Sequence, residues 1–577
     1  MATKYVSPTG SDSNNGDTSG TPYLTIDKAF DNLTGTGADI VILANGDYNQ
    51  TTSLVTGGGT KTGGSITLQS ASSDATLCSI SGHTSTSTYL IRNNETGVNL
   101  AIENITLKDH TATNASYPPI FWADQDLTLT NCVIDNININ MSGAVSPSGI
   151  IRNYHATLPA NLTINGLTVR NCSVSFAGGS GYEGALFSTN YFGGTANISG
   201  LNIESFTITS DANYQFNGMC FHRGTNIWSG TNTFNNVIIN GAHASFGLIK
   251  MESNSGAYQH KISGTMNITN VTSTLTTANG SQNGFINVAG TDDLTITAAL
   301  NVSNCISTVP ANEYDYGIAA SISAGSSIHM FSPSAGVYST IHDNSFPAAV
   351  GLVSHKGGVA SIISAIHAYN NTVNSGVVAV VSLAGNTTLS GLLLHDNTAT
   401  GRGGGIYCSP SASGTVTINN STLVDNIATT SGDGMSLAEV SGTTAIYNVS
   451  NVICRNGGTD EISSAGSTGT PEINITNSNI QGGAGAVTGE TTYTNNVDVD
   501  PLFIDSANNN YGLQSATTMR GAGKFLGAVK DYKGKAFPKS AIPIGGVFIE
   551  GADTRSTAAA RSSASTRSAA SARTARV

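Results

Sequence analysis

Charge is what this chain has least of. Of its 577 residues only 10% are Asp, Glu, Lys or Arg. Acids outnumber bases, 36 to 24, for a formal net charge of -12, which argues against nucleic acid as a partner. Tryptophan is nearly absent at 2 residues, and the aromatic share is 7%. The 7 cysteines are odd in number, with no Cys-x-x-Cys and no close pairs. They give no metal site, and they read as small buried hydrophobes. Cofactors are not expected; a structural calcium is conceivable but not indicated. No stretch approaches eighteen apolar residues, so no membrane span is expected. After Met1 neither a basic segment nor an apolar run follows, so the sequence reads as lacking a Sec signal.

What is present is a repeat. The phrase apolar-polar-apolar, then Asn or Gly, then apolar-polar-apolar recurs, as in Leu127-Thr128-Leu129-Thr130-Asn131-Cys132-Val133-Ile134. Its anchors are Asn104, Asn131, Gly166, Gly200, Asn236, Asn270, Asn304, Tyr338, Ala365, Gly391, Asn420, Asn451 and Asn477, at spacings of 27, 35, 34, 36, 34, 34, 34, 27, 26, 29, 31 and 26 residues. Period-two alternation of Thr, Val and Ile marks strands with one buried face. The Asn or Gly marks a bend, and the constant register marks a solenoid of stacked coils. Cys132 and Cys305 each follow an anchor and read as the same point of the coil. A second Asn series lies five residues after its anchors (Asn136, Asn171, Asn370, Asn456) or six after (Asn344, Asn397, Asn426). Such amides are placed to hydrogen-bond along the stack.

The ends differ from the repeat. In the opening, Thr25 or Asp27 is a candidate cap for a short helix carrying Ala29, Phe30 and Leu33 on one face. The segment Tyr5-Val6-Ser7-Pro8-Thr9-Gly10-Ser11-Asp12, the Thr25-Ile26 helix and the Asn45-Gly46-Asp47-Tyr48 turn resemble the opening of right-handed parallel β-helix proteins of the pectate-lyase-like superfamily. Gly403-Gly404-Gly405-Ile406-Tyr407, Ser478-Asn479-Ile480-Gln481-Gly482-Gly483 and Asp500-Pro501-Leu502-Phe503-Ile504-Asp505 resemble bacterial "choice-of-anchor" surface β-helix proteins. Phage tailspikes share the scaffold. The expected fold is therefore all-β: one right-handed parallel β-helix of about 13 or more coils, with a short N-terminal capping helix and a C-terminal β cap. The expected divisions are an N-terminal cap over 1–50, the β-helix over 51–496, a C-terminal cap over 497–550 and an Ala/Ser/Arg-rich tail over 551–577. The tail reads as disordered or as a basic docking peg.

For chemistry, the paired carboxylates of a glycoside hydrolase and the base of a lyase are sought first. The superfamily's signatures are missing: there is no Gly-His-Gly, no Asp-Asp with Asn-Thr-Asp and no Arg-x-Pro-x-x-Arg. Asp292-Asp293 reads as a turn. His342-Asp343-Asn344 and His395-Asp396-Asn397 read as strand-end turns rather than His/Asp pairs. The densest aromatic region runs from Gly166 to Asn236, with Tyr182, Phe187, Tyr191, Phe192, Tyr214, Phe216, Phe221 and Trp228. It supplies candidate sugar contacts at Tyr182, Tyr191, Tyr214, Trp228 and Arg223, and weak catalytic candidates at Glu183, Asp211 and His222. The competing reading is that half of these rings fill the core. The expectation is a non-enzymatic recognition protein: a tailspike or tail fibre of a phage virion binding a host surface polysaccharide, as a homo-oligomer and a trimer if a tailspike. The alternatives are an extracellular cell-surface adhesin or filament subunit exported without Sec, and a polysaccharide lyase or glycoside hydrolase.

Overall fold

The structure is a computed structural model. It describes residues 1–545 except 57–59, 86–88, 114–119, 143–148, 154–158, 178–183, 190–193, 212–217, 242–246, 253–256, 276–281, 309–313, 316, 324, 333, 335, 382–385, 411–412, 440–442, 520, 525, 527–530, 534 and 537–541; residues 546–577 lie outside it. The tail over 551–577 therefore falls outside the described residues.

The alternating segments form strands that pair in parallel with the segment one coil on, as a parallel β-helix requires. One short strand per coil, of two or three residues, builds a separate 14-stranded sheet that runs from Leu54–Val55 to Ile462–Ser463. Most of the remaining strands wrap the other sides as a 34-stranded sheet, and three two-stranded pairs lie outside both. Inward side chains fuse into one hydrophobic core running from Val6 to Val487. Because strand side chains alternate in direction, every second residue of each apolar phrase reaches this core. The alternation is visible in Leu162–Ala177, where buried and partly exposed residues follow one another.

All the anchors except Tyr338 occupy the left-handed region, from Asn420 at φ 47° to Gly166 at φ 76°. Strand register shows that they belong to two corners rather than one. Asn104, Asn131, Gly166 and Gly200 stack at the first corner, and Ala365, Gly391, Asn420, Asn451 and Asn477 continue it. Asn236, Asn270 and Asn304 belong to the second, five residues further along each coil. That corner also holds Asp109, Asn136, Asn171, Ser205, Asp343, Asn370, Asp396 and Asp425, all left-handed. Cys132 thus follows the first corner and Cys305 the second, so they are not equivalent. All seven thiols are buried and free, as small hydrophobes. Burial pushes the Cys132 thiol up to about 12. At Gly200, a Cβ would sit 3.3 Å from Gly166 Cα, in addition to the strain of φ 68°.

The Asn residues five and six positions after the anchors also separate. Those at the second corner are exposed and reach back one coil: Asn136 Nδ2 donates to Asp109 Oδ1 (2.7 Å) and Asn370 Nδ2 to Asp343 Oδ1 (3.2 Å). The next position is buried and forms an unbroken ladder, which Asn456, although five after its anchor, also joins. Asn344, Asn371, Asn397 and Asn426 each donate from Nδ2 to Oδ1 of the following member at 2.9 Å, ending on Asn456. Asn456 Nδ2 then donates to Glu461 Oε2 at 2.7 Å.

Both ends are covered. The helix Ile26–Asp31 is capped by Thr25, whose Oγ1 accepts from Lys28 N at 3.2 Å, and it buries Ile26, Ala29 and Phe30. Asp27 is not the cap; its carboxylate accepts from Gln50 Nε2 at 2.9 Å. After the last coils, an antiparallel pair, Phe503–Asp505 with Asn510–Leu513, begins a segment that runs back along the flank. Tyr511, Leu513, Met519, Tyr532 and Ile544 pack there on Leu393, Val424 and Ile453. Asn451 clamps that segment, donating to Lys524 O (2.7 Å) and accepting from Lys524 N (2.7 Å). No described helix is long and apolar enough to cross a membrane.

Candidate functional site: the outward row of the short-strand sheet

Each short strand sends its first and third residues inward and its middle residue outward. Register stacks the middle residues coil on coil: Val55, Arg92, Trp122, Arg152, Ser188, Phe221 and Lys250, then Asn287, Ala320, Ser354, Ala379, Tyr407, Ser436 and Ser463. The cations lie in the early coils, while from Asn287 onward the row is uncharged and, apart from Tyr407, small. No member of the row is acidic, in a chain where acids are the majority.

The accessible part of the row lies at Arg92 and Trp122, both partly exposed. The Arg92 and Arg152 guanidinium carbons lie 5.1 and 4.6 Å from the Trp122 ring centroid, one from each neighbouring coil. The indole is thus held between two cations, a favourable use of its negative faces. Tyr89 completes the cluster. Its ring meets Trp122 edge-on at 5.7 Å, and its hydroxyl accepts from Arg92 Nη1 at 2.6 Å. Asp124, just past the strand, accepts from Trp122 Nε1 at 2.6 Å and so fixes the ring's orientation. Further along, Arg223 and Lys250 lie 5.0 and 5.5 Å from the Phe221 ring, and Lys250 pairs with Glu252 at 2.7 Å. Burial pushes the Lys250 ammonium down, against the pull of Glu252.

The sequence candidates fare unevenly. Tyr182, Glu183, Tyr191 and Tyr214 lie outside the described residues, as do Phe192 and Phe216. Trp228 must be corrected: it is fully buried, packed between Phe187 and Phe234 at 6.4 and 6.3 Å, and so fills the core instead of facing a sugar. His222 is likewise internal, as the third residue of its strand. It hydrogen-bonds Thr189 Oγ1 in the same corner, and burial, reinforced by His260, holds its imidazole down at about 3. A neutral, enclosed imidazole of this kind serves packing, not proton transfer to a ligand. Asp211 follows the strand Thr195–Ser210, its N–H donating to Phe176 O at 3.0 Å. Arg223 does lie beside the outward row. Asp292 follows a turn and is buried, accepting from Tyr258 N (2.9 Å) and pairing with His260 (3.1 Å). Sequence reasoning missed Tyr89, Arg92, Trp122 and Arg152. Their signal was the Ile-Arg-Asn triplet at 91–93 and again at 151–153, bracketing Phe-Trp-Ala at 121–123.

The two His-Asp-Asn motifs are turns, as expected. Asp343 and Asp396 take the left-handed corner, while Asn344 and Asn397 join the buried ladder. Their imidazoles stack on either side of Tyr369, at 4.8 and 5.0 Å with interplanar angles of 3°. His395 is covered by Tyr511 of the returning segment at 4.6 Å. His367 Nε2 and His395 Nε2 are 2.9 Å apart, so one donates and the other must be unprotonated. Burial, with His395, Lys533 and His342 adding to it, pushes His367 down to about 3. His110 and His355 are held at about 4 by burial. The unfolded chain titrates such groups near 6.5, so between that value and the folded ones it binds more protons than the native state. Stability is thus full above about pH 6.5 and is lost as pH falls below it. Urea unfolding followed at pH 8, 7, 6 and 5 checks this: the midpoint should be level between 8 and 7 and drop below 6. A level midpoint down to pH 5 would contradict it.

Among the described residues no group of three or more His, Cys, Asp or Glu is placed to hold a metal ion. The chain matches no known protein-family profile and no curated protein. Among solved structures it is similar to one titled "The complex structure of XylC with xylose", at 11% identity and a TM-score of 0.29, over 94% of this chain and 98% of that one. A likeness at that level carries no argument about function.

Proposed function

We propose that this β-helix is a non-enzymatic recognition protein that binds a surface glycan along the outward row of its short-strand sheet, as a phage tailspike or fibre does. The observation that carries the reading is the Tyr89–Arg92–Trp122–Arg152 cluster. An aromatic edge, a phenol and the Arg92 guanidinium are held on a rigid sheet and partly open to solvent, with Arg152 buried beside them. Aromatic carbons pack on sugar C–H groups while forked donors take hydroxyl and acidic oxygens, the usual division of labour in a carbohydrate site. A rigid scaffold keeps the ordering entropy of binding low. The same cluster serves a cell-surface adhesin equally well. Mass in solution separates the two: a trimer supports the virion reading, a monomeric rod or a filament the adhesin.

Purified full-length protein on a glycan array tests the reading. It should bind a defined subset of glycans, Trp122→Ala should abolish the signal, and Trp228→Phe should leave it unchanged. Absence of binding to any glycan would overturn glycan recognition in both its virion and adhesin forms. Release of oligosaccharides from a bound polysaccharide would overturn its non-enzymatic character.

A further inference from the structure

We infer that the returning C-terminal segment is an acid-released strap. It stays docked on the flank of the solenoid at neutral pH and lets go when the histidines beneath it are protonated, while the coils stay folded. The release is independent of what the short-strand sheet binds. The first support is a change of surface under the strap. The outward row that carries Asn235, Thr269 and Ser303 continues as His342, Tyr369 and His395. The outward row beside it continues from His367 through Leu393 and Thr422 to Ile453. Outward positions of a surface strand meet solvent, yet the His395 side chain is 0% exposed and Leu393 and Ile453 are fully buried. The strap covers them. Tyr511 lies on His395 at 4.6 Å and Tyr532 on His367 at 5.4 Å, while Leu513, Met519 and Ile544 pack with Leu393 and Ile453. Few bonds hold it by its backbone, among them Gly336 N to Lys533 O (2.5 Å) and Gly545 N to Asn451 O (2.8 Å).

The second support is the histidine pair under that cover. His395 Nδ1 is 2.7 Å from Asp396 Oδ2, and its Nε2 is 2.9 Å from His367 Nε2. A neutral His395 donates from Nδ1 to Asp396 and accepts at Nε2 from His367. One extra proton can be shared between the two Nε2 atoms. A second sets N–H against N–H and two positive charges side by side, beneath two phenol rings.

The third support is the charge around the pair. His395 faces Tyr369, Asp396 and Asp425 from the flank and Tyr511 from the strap. His367 faces Tyr338, Tyr369 and His342 from the flank and Tyr532 and Lys533 from the strap. Asp343 is paired with His342 at 2.6 Å, and Asp531 of the strap accepts from Lys535 N at 2.7 Å. The carboxylates beside His395 favour the first proton, whereas His367 meets cations and resists the second. Burial holds both imidazoles down, His367 to about 3. Once the strap is off, both return toward 6.5. The released state therefore binds more protons: docking is full above about pH 6.5 and is lost as pH falls below it, about tenfold per pH unit for His367. Release uncovers the apolar strip of Leu393, Val424 and Ile453.

Hydrogen exchange of the full-length protein at pH 8, 7, 6 and 5, read by mass spectrometry and corrected for intrinsic exchange, tests the inference. Protection of strap peptides containing Lys524 and Gly545 should be level from pH 8 to 7 and then fall about tenfold per pH unit. The short strands Val353–His355 and Ile406–Cys408 should keep theirs. His367→Gln retains a donor toward His395 but does not titrate, so its strap should stay protected at pH 5. Should that strap be open already at pH 8, His395→Gln is read by the same criterion, and the parent profile stands beside it. Strap protection that falls no faster than that of the two short strands would overturn the inference. So would a fall as steep in the Gln variant as in the parent.

Discussion

Replacing Asn397 with Ala should lower the unfolding free energy by on the order of 4 kcal/mol, since it strands several buried polar groups at once. Asn397 Nδ2 donates to Ala368 O (3.0 Å) and to Asn426 Oδ1 (2.9 Å). Its Oδ1 accepts from both the backbone N–H and Nδ2 of Asn371, at 3.2 and 2.9 Å. Removing the amide leaves partners on neighbouring coils with nothing to bond in the buried interior. Because each coil rests mainly on its neighbours, the damage should be local but should split the solenoid there. The control is Asn138→Ala, an exposed member of the stack whose amide donates to Asn136 Oδ1 (3.4 Å) and accepts from Ser173 Oγ (2.7 Å), both where water can replace it. It should change stability by no more than about 0.5 kcal/mol. Urea midpoints measured by tyrosine and tryptophan fluorescence and by circular dichroism check both. Equal midpoints for the two variants would mean that the ladder does not hold the coils in register.

The second large effect is expected at the N-terminal end. Lys61 is fully buried and pairs with Asp39 at 3.0 Å, while also donating to Gly37 O. Asp39 accepts in addition from Ala2 N at 2.6 Å. Lys61→Ala would leave a buried carboxylate with the exposed terminal amine, 3.9 Å away, as its remaining cation. A cost of about 3–5 kcal/mol is expected. Replacing Lys61 by Met and Asp39 by Leu together should recover most of the loss, because it removes both desolvated charges. The exposed pair Lys4–Asp17, at 2.7 Å, is the contrast: Lys4→Ala should cost at most about 1 kcal/mol. Proteolytic clipping within the first coils, followed over time, reads the result. A Lys61→Ala protein as resistant as the parent would contradict it.

The fold was legible in the sequence because the physics that sets it is local. Alternation, β-branched residues and one left-handed residue per bend are all written in neighbouring positions. The phase was harder to read. The two corners lie five residues apart and are flanked by the same alternating pattern, as at Asn131 and Asn136 or at Gly166 and Asn171. A single phrase therefore fits either. The 36-residue step from Gly200 to Asn236 hides a change of corner, whereas Ser205 to Asn236 is 236 − 205 = 31. Ser205, left-handed without being Asn or Gly, gave no signal.

The site was harder still to find. Aromatic density pointed to residues 166–236, but a ring inside a solenoid and a ring outside it differ only in which way one residue of a short strand faces. Trp228 and Trp122 both sit in strands, and register sends the first inward and the second outward. Arg92 and Arg152 were visible as isolated charges, with nothing in the linear sequence to show that a tryptophan falls between them. Only the coil register brings the three together.

The central claim is that a surface glycan lies on the outward row of the short-strand sheet. A crystal structure of the full-length protein with an oligosaccharide that it binds on the array tests it most directly. The account predicts density over the early coils of that row, with a sugar against Trp122 and its oxygens on the Arg92 guanidinium. An oligosaccharide seated instead on the His342–Tyr369–His395 flank, or at the neutral later coils from Asn287 onward, would contradict it.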